Sequence, residues 1–127
     1  MRLLIDTHIF LWLVSDSKKL KPQAKQLISK ADAVYVSAAS VWEIAIKVAL
    51  KKLKANPDEL AAAIAKAGMI ELPVTAEHAA KSAWLPRYPK HNDPFDRMLV
   101  AQALTEPLLL LTNDAQLAQY GDRVLVT

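Results

Sequence analysis

The sequence predicts an α/β fold in which a central, mostly parallel sheet of about five strands is covered by helices on both faces. Three observations carry this expectation. Short unbroken apolar runs such as Leu3-Leu4-Ile5 and Leu108 to Leu111 have the content of strands buried on both sides. Segments with apolar residues at helical spacing lie between such runs, so that the two kinds of element alternate. Prolines at helix starts and glycines beside strands mark the divisions.

Taken in order, Leu3 to Ile5 is the first strand, and helical patterns follow at His8 to Val14 and Pro22 to Lys30, the latter opened by Pro22 in its first turn. Ala33 to Ser37, rich in β-branched and aromatic side chains, is the second strand. Helices are expected over Ala38 to Lys51 and Pro57 to Ala67. A strand follows over Met69 to Leu72, bounded by Gly68 and Pro73. Ala76 to Ala83 and Pro94 to Leu104 are the last helical patterns, with Asp93 placed to cap the second of them. Leu108 to Leu111 is the clearest strand, and Arg123 to Val126, after Gly121, completes the set. Strands joined through helices imply right-handed crossovers, and ligands of such sheets bind beyond the carboxyl ends of the strands, where the strand order reverses.

At 127 residues and 14.0 kDa, the chain fits a single domain spanning 1–127 around one core. Hydrophobic residues make up 53% and charged residues 23%, a globular balance. With no cysteine there is no disulfide framework, thiolate site or cysteine nucleophile, which suits a cytoplasmic protein. The apolar opening to Val14 is interrupted by Asp6 and His8, so a secretion signal is not expected, and no apolar run is long enough to span a membrane. The net charge of +3 tolerates an anionic partner without requiring one. The two glycines, Gly68 and Gly121, open no phosphate-cradling loop, which disfavours nucleotide binding.

The acidic residues carry the chemistry. Asp6 follows the first strand directly and Asp114 follows Leu108 to Leu111 by a few residues, so both fall at carboxyl ends. Glu43 lies in the helix after the second strand, on the stripe of Ser40 and Lys47, with Val41, Ala45 and Val48 expected toward the core. Asp96 lies one turn into the helix that Asp93 caps. Each residue also has an ordinary structural account: Asp6 and Asp114 as helix caps, Glu43 with Lys47 as an i, i+4 surface pair, and Asp93 with Asp96 as a capping box. Their joint placement at one sheet edge is what points to a site. Converging carboxylates repel one another unless a divalent cation neutralises them, and oxygen donors without a Cys or His cluster favour Mg²⁺ or Mn²⁺ over zinc. Such an ion can activate water and stabilise charge on a scissile phosphate, so phosphodiester hydrolysis is the leading chemistry.

Four segments in order, Leu3-Leu4-Ile5-Asp6-Thr7-His8, Ser40-Val41-Trp42-Glu43-Ile44, Asp93-Pro94-Phe95-Asp96-Arg97 with Leu99 to Ala103, and Leu111-Thr112-Asn113-Asp114, resemble the PIN domain, specifically the VapC-like toxins of bacterial toxin–antitoxin pairs. The resemblance runs from end to end. It implies a three-layer α/β/α sandwich and a metal-dependent endoribonuclease. Its acidic quartet falls on Asp6, Glu43, Asp96 and Asp114, with Asp93 as an additional acidic position near the metal. It also implies an RNA substrate, a homodimer, and a cognate VapB-like antitoxin whose C-terminal segment occupies the active groove.

Thr7, Thr112 and Asn113 could orient carboxylates or simply cap helices. His8 and His91 are left outside the catalytic set, since a lone histidine is more often a packing or surface residue. Lys47, Lys51, Lys52, Lys54, Arg87, Lys90 and Arg97 could line an RNA path, although Arg97 could instead pair with a carboxylate. Trp12, Trp42 and Trp84 could stack on bases, but tryptophans at helical spacing usually belong to a core or a subunit interface. Two alternatives stay open: a non-catalytic metal- or peptide-binding module of the same fold, and a DNA or structure-specific nuclease. An aspartyl phosphotransferase built on Asp6 is disfavoured, because His8 stands where that class carries a second Asp.

Overall fold

Leu3 and Ile5 pack into one apolar cluster and Leu4, between them, into another, as the alternation of a strand buried on both faces requires. A computed structural model describes residues 1–127. Its elements are β1 (Arg2–Ile5), α1 (Thr7–Val14), α2 (Pro22–Lys30), β2 (Ala33–Ser37), α3 (Ala38–Ala49), α4 (Pro57–Lys66), β3 (Ile70–Leu72), α5 (Ala76–Ser82), α6 (Pro94–Thr105), β4 (Leu109–Thr112) and β5 (Val124–Val126), with a 3₁₀ turn at Ala115–Tyr120. The five strands form one sheet in the order β3-β2-β1-β4-β5, and every neighbouring pair is parallel.

The sheet is the middle layer of three. On one face, Leu3, Ile5, Val36 and Leu111 meet Ile9 and Phe10 of α1, Ala24 of α2, Ile44 of α3 and Ile64 of α4. On the other, Leu4 and Leu110 meet Leu99, Val100 and Ala103 of α6 together with Leu117 and Tyr120 of the 3₁₀ turn. The single core expected from chain length is therefore two clusters, because a sheet buried on both faces divides its apolar side chains. Full burial of a side chain such as Phe10 or Leu110 contributes about 1.5–3 kcal/mol, which makes these two layers the main support of the sheet edge above them.

Element ends differ from the expected ones for local reasons. The helix α1 starts at Thr7 because Asp6 itself is the cap. The helix α3 stops at Ala49, short of Lys51, which takes a positive φ of 58° and closes the last turn through its N–H to the Val48 carbonyl. After α4, Gly68 adopts φ 78° while its N–H and that of Met69 bond back to Ala65 and Ile64, so β3 begins one residue later than Met69. The turn at Ala115–Tyr120 is too short to display a helical period in the sequence.

Candidate metal centre

The chain builds outward from β1 through β2 to β3 and then returns to the other side of β1 with β4, so the strand order reverses between β1 and β4. Asp6 and Thr112 stand at the carboxyl ends of those two strands, and the Asp6 N–H donates to the Leu111 carbonyl at 3.0 Å. The Asp6 side chain is almost wholly buried, at 4% exposure. One carboxylate oxygen accepts from the Ile9 N–H at 2.9 Å, capping α1, and the other accepts from the Thr112 hydroxyl. Thr112 Oγ1 accepts in turn from the Asp114 N–H at 3.0 Å, and Asp114 caps the 3₁₀ turn through the Gln116 N–H at 2.9 Å. The cap roles are real, and they also fix where these carboxylates sit.

Glu43 departs from the sequence reading. It is buried at 6% exposure, as is Ser40 beside it, whereas Val41, Ala45 and Val48 on the face expected to be internal are only half-buried. The stripe of Ser40, Glu43 and Ile44 faces α1 and the sheet. Thr7 Oγ1 lies 2.8 Å from Glu43 Oε1 and 2.9 Å from Ser40 Oγ. Having one proton, Thr7 can donate to the carboxylate while accepting from the serine. Lys47 Nζ donates to Glu43 Oε2 at 2.8 Å, so the i, i+4 pair exists but anchors a buried carboxylate instead of decorating a surface.

Asp93 caps α6 as expected, its Oδ1 accepting from the N–H groups of Phe95 at 2.8 Å and Asp96 at 3.1 Å. The anticipated capping box does not close, because the Asp96 side chain turns away from the Asp93 backbone and meets His91 Nε2 at 3.3 Å. His91, set aside in the sequence reading, is buried and held by Tyr120, whose hydroxyl lies 3.0 Å from Nδ1. The signal that could have found it is its position five residues before Asp96, on a loop fixed by the cap that follows. One ring nitrogen of His91 and one oxygen each of Asp96 and Asp114 lie within 4.8 Å of one another. Asp6, Glu43 and Asp93 are not members of that tight group.

Arg97 pairs with no carboxylate, contrary to one of its expected roles, and is too buried to line an RNA path. Its guanidinium is turned inward and donates to the carbonyls of Pro86 at 2.8 Å, Ser82 at 3.1 Å and Leu85 at 3.4 Å, and to the Tyr120 hydroxyl at 3.2 Å. No lysine or arginine forms an ion pair with Asp6, Asp96 or Asp114. Burial raises the Asp6 pKa, with the Glu43 charge adding to it against the hydrogen bonds from Ile9 and Thr112. Burial, then the charge of Asp93 and more weakly that of Asp6, pushes Asp96 up to about 6 against the opposing effect of His91. A buried Asp6 and a half-buried Asp96, each burdened by a neighbouring carboxylate and neither paired with a lysine or arginine, fit a divalent cation, and their hard oxygen donors suit one of the Mg²⁺ or Mn²⁺ kind.

Beside this edge, Thr7 and His8 open onto a groove of about 540 Å³ whose walls carry Lys19, Lys47, Lys52 and Lys54. Three of the seven basic residues considered for an RNA path thus face it, while Lys51 does not. Trp42 and Trp84 are 64% and 82% exposed, so neither is a core residue. Trp42 packs edge-on against Phe95 at 5.3 Å over an apolar hollow of about 310 Å³ that also includes Val74 and Met98.

The family model of the PIN domain matches residues 3–123, from β1 to the last residues before β5. The chain belongs to the PIN domain family. Every acidic residue of the site lies inside the matched span. The chain is 29% identical over 124 residues to ribonuclease VapC22 of Mycobacterium tuberculosis, the alignment covering 92% of this chain and 90% of that protein. Among solved structures, VapBC2 from Rickettsia felis bound to a DNA fragment from its promoter superposes with a TM-score of 0.69 at 13% identity, over 100% of this chain and 98% of the other. A toxin–antitoxin complex from Klebsiella pneumoniae gives 0.67 at 21% identity, over 98% and 96%. At these identities the two structures speak for the fold of this PIN domain: the five-stranded parallel sheet between helical layers.

Proposed function

We infer that this PIN domain, residues 1–127 acting as one unit, is a metal-dependent endoribonuclease and the toxin of a toxin–antitoxin pair. The observation that carries the reading is the gathering, at the reversal of the strand order, of buried Asp6 with half-buried Asp96 and Asp114, none of which has a lysine or arginine partner. The relative VapC22 is named a ribonuclease, which favours RNA over DNA as the phosphodiester cut. The Klebsiella chain was solved in a toxin–antitoxin complex, which supports a VapB-like antitoxin as partner.

In this reading Asp6, Glu43, Asp96 and Asp114 hold Mg²⁺ or Mn²⁺, with Asp93 as cap of α6 and a further negative charge at the rim. Bound there, the ion supplies Lewis acidity toward the scissile phosphate and toward water. The chain's own groups set the geometry: Thr112 and the Ile9 N–H fix the Asp6 oxygens, Thr7 and Lys47 fix those of Glu43, and His91 meets Asp96. The lysine-walled groove beside Thr7 and His8 offers positive charge to the RNA backbone next to the acids, and an antitoxin segment laid in it would block the site. The exposed Trp42 surface supports a homodimer. No helix is long and apolar enough to cross a membrane, and we assign the protein to the cytoplasm.

The test is cleavage of a total-RNA pool by purified protein with Mg²⁺, with Mn²⁺ and with chelator, comparing wild type with Asp6→Asn and Asp114→Asn variants that retain their fold. Metal-dependent cleavage lost in both variants is expected. Cleavage of DNA alone would replace the substrate class, and metal binding without any hydrolysis would turn the reading into that of a binding module.

A further inference from the structure

His91 is the one histidine grouped with Asp96 and Asp114, and its surroundings leave little freedom for the ring. Its backbone N–H bonds to the Tyr88 carbonyl at 3.0 Å, its ring stands edge-on to Tyr120 at 5.5 Å, and Tyr120 is itself braced by Tyr88 at 5.0 Å. Nδ1 lies 3.0 Å from the Tyr120 hydroxyl, and that hydroxyl already accepts from Arg97. With Arg97 donating to it, the hydroxyl can donate to Nδ1 in turn, and Nε2–H then faces Asp96 Oδ2 at 3.3 Å. A cation at Nε2 would displace that proton and leave the Nδ1 proton facing the tyrosine oxygen, so the same two neighbours hold the ring in either state. A separation of about 3 Å is what two neighbouring donors on one ion show when each bond is about 2.1 Å.

Resting on the nuclease reading above, we propose that His91 is itself a metal ligand, completing a mixed set with Asp96 and Asp114, and that this imidazole makes the site select Mn²⁺ over Mg²⁺. Imidazole nitrogen binds Mg²⁺ poorly, whereas the later divalent metals accept it beside carboxylates. The Tyr120 hydroxyl is the partner that a metal-bound histidine requires on its other nitrogen, fixing both tautomer and ring orientation. The consequence is a site that works with either ion but holds Mn²⁺ more tightly, with the imidazole adding to whatever preference the carboxylates give, so that its removal narrows the gap between the two ions.

The test is electron spin-echo envelope modulation on Mn²⁺ bound to the intact protein, with calorimetric Mn²⁺ and Mg²⁺ titrations alongside. The chain has three histidines. His78 is buried against Glu106 and Gln102, which leaves His8, exposed beside Asp6, as the competing nitrogen source. Nitrogen modulation from one imidazole is expected in the wild type, shifted by ¹⁵N-histidine labelling, kept in His8→Gln and lost in His91→Gln. The last variant should bind Mn²⁺ about tenfold or more weakly with little change for Mg²⁺. Mn²⁺ binding without nitrogen modulation, or modulation lost in His8→Gln instead, overturns the assignment of His91 and leaves the nuclease reading standing. Failure of the wild type to bind Mn²⁺ at all overturns both. The labelled wild type decides the matter even where a variant fails to fold.

Discussion

Thr112 donates its hydroxyl hydrogen bond to Asp6 across 106 residues of sequence, tying the carboxyl end of β4 to that of β1 at the point where the strand order reverses. The same oxygen receives the Asp114 N–H, so one threonine sets the spacing of two site acids. Replacing it by valine keeps the shape and removes both bonds. Thr112→Val is expected to cost about 1–3 kcal/mol in urea unfolding, the penalty of unpaired buried groups. It should also weaken Mn²⁺ binding by about tenfold in calorimetry, as the loss of a supporting hydrogen bond does, while Thr112→Ser restores most of both.

Asp96 makes the metal-free protein sensitive to acid in an unusual sense. Its unfolded value of 3.8 lies below its folded value of about 6, so the folded state binds the proton more tightly. The stabilisation this gives is complete below pH 3.8 and is lost as pH rises through about 6. The raised value of Asp6 acts in the same direction. Scanning calorimetry in chelator should therefore show Asp96→Asn melting above wild type at pH 7, with the gap closing toward pH 4. Added Mn²⁺ should reverse the order, since only the wild type retains the full ligand set and gains stability from binding.

Elements whose side chains obey a period were legible in the sequence. The five strands and six helices fall within a few residues of their expected places, because short apolar runs, helical spacing and proline starts are local properties. That Asp6 and Asp114 would fall at one sheet edge was legible for a related reason, since each follows a strand and a parallel sheet brings the carboxyl ends of its strands to the same side. What was not legible depended on side-chain direction. The helical wheel of α3 gives no means of telling that the Ser40 and Glu43 stripe would be the buried one, since Val41 and Val48 are the more apolar choice; the hydrogen bonds from Thr7 and Lys47 reverse the outcome. Likewise Asp96 and Arg97 are adjacent in sequence but point to different surroundings, one to His91 and the other to the carbonyls of the Ser82–Pro86 loop.

That divergence gives Arg97 a role separable from its neighbour's. Its guanidinium alone satisfies three backbone carbonyls and touches Tyr120. Arg97→Met strands those carbonyls in a buried setting, and a loss of about 3 kcal/mol or more is expected in chemical denaturation. Arg97→Lys should recover only part of it, because one ammonium cannot reproduce a planar fork of donors. A metal affinity measured on the folded fraction of Arg97→Lys should stay close to wild type, in contrast to Thr112→Val.

The lysine-walled groove makes a prediction about RNA that leaves the acids untouched. Lys52 and Lys54 line it without contacting Glu43, whereas Lys47 is held by that carboxylate and is unsuitable as a probe. If the groove carries the RNA backbone, each lysine removed takes away a phosphate contact and the counterions it displaces. The double variant Lys52→Ala, Lys54→Ala should bind a single-stranded RNA more weakly, and the slope of log affinity against log salt should fall by about 1–1.5. Its single-turnover cleavage rate at saturating protein should stay near wild type, since no carboxylate has moved. An unchanged salt slope would remove this groove from the RNA path and leave it to the antitoxin alone.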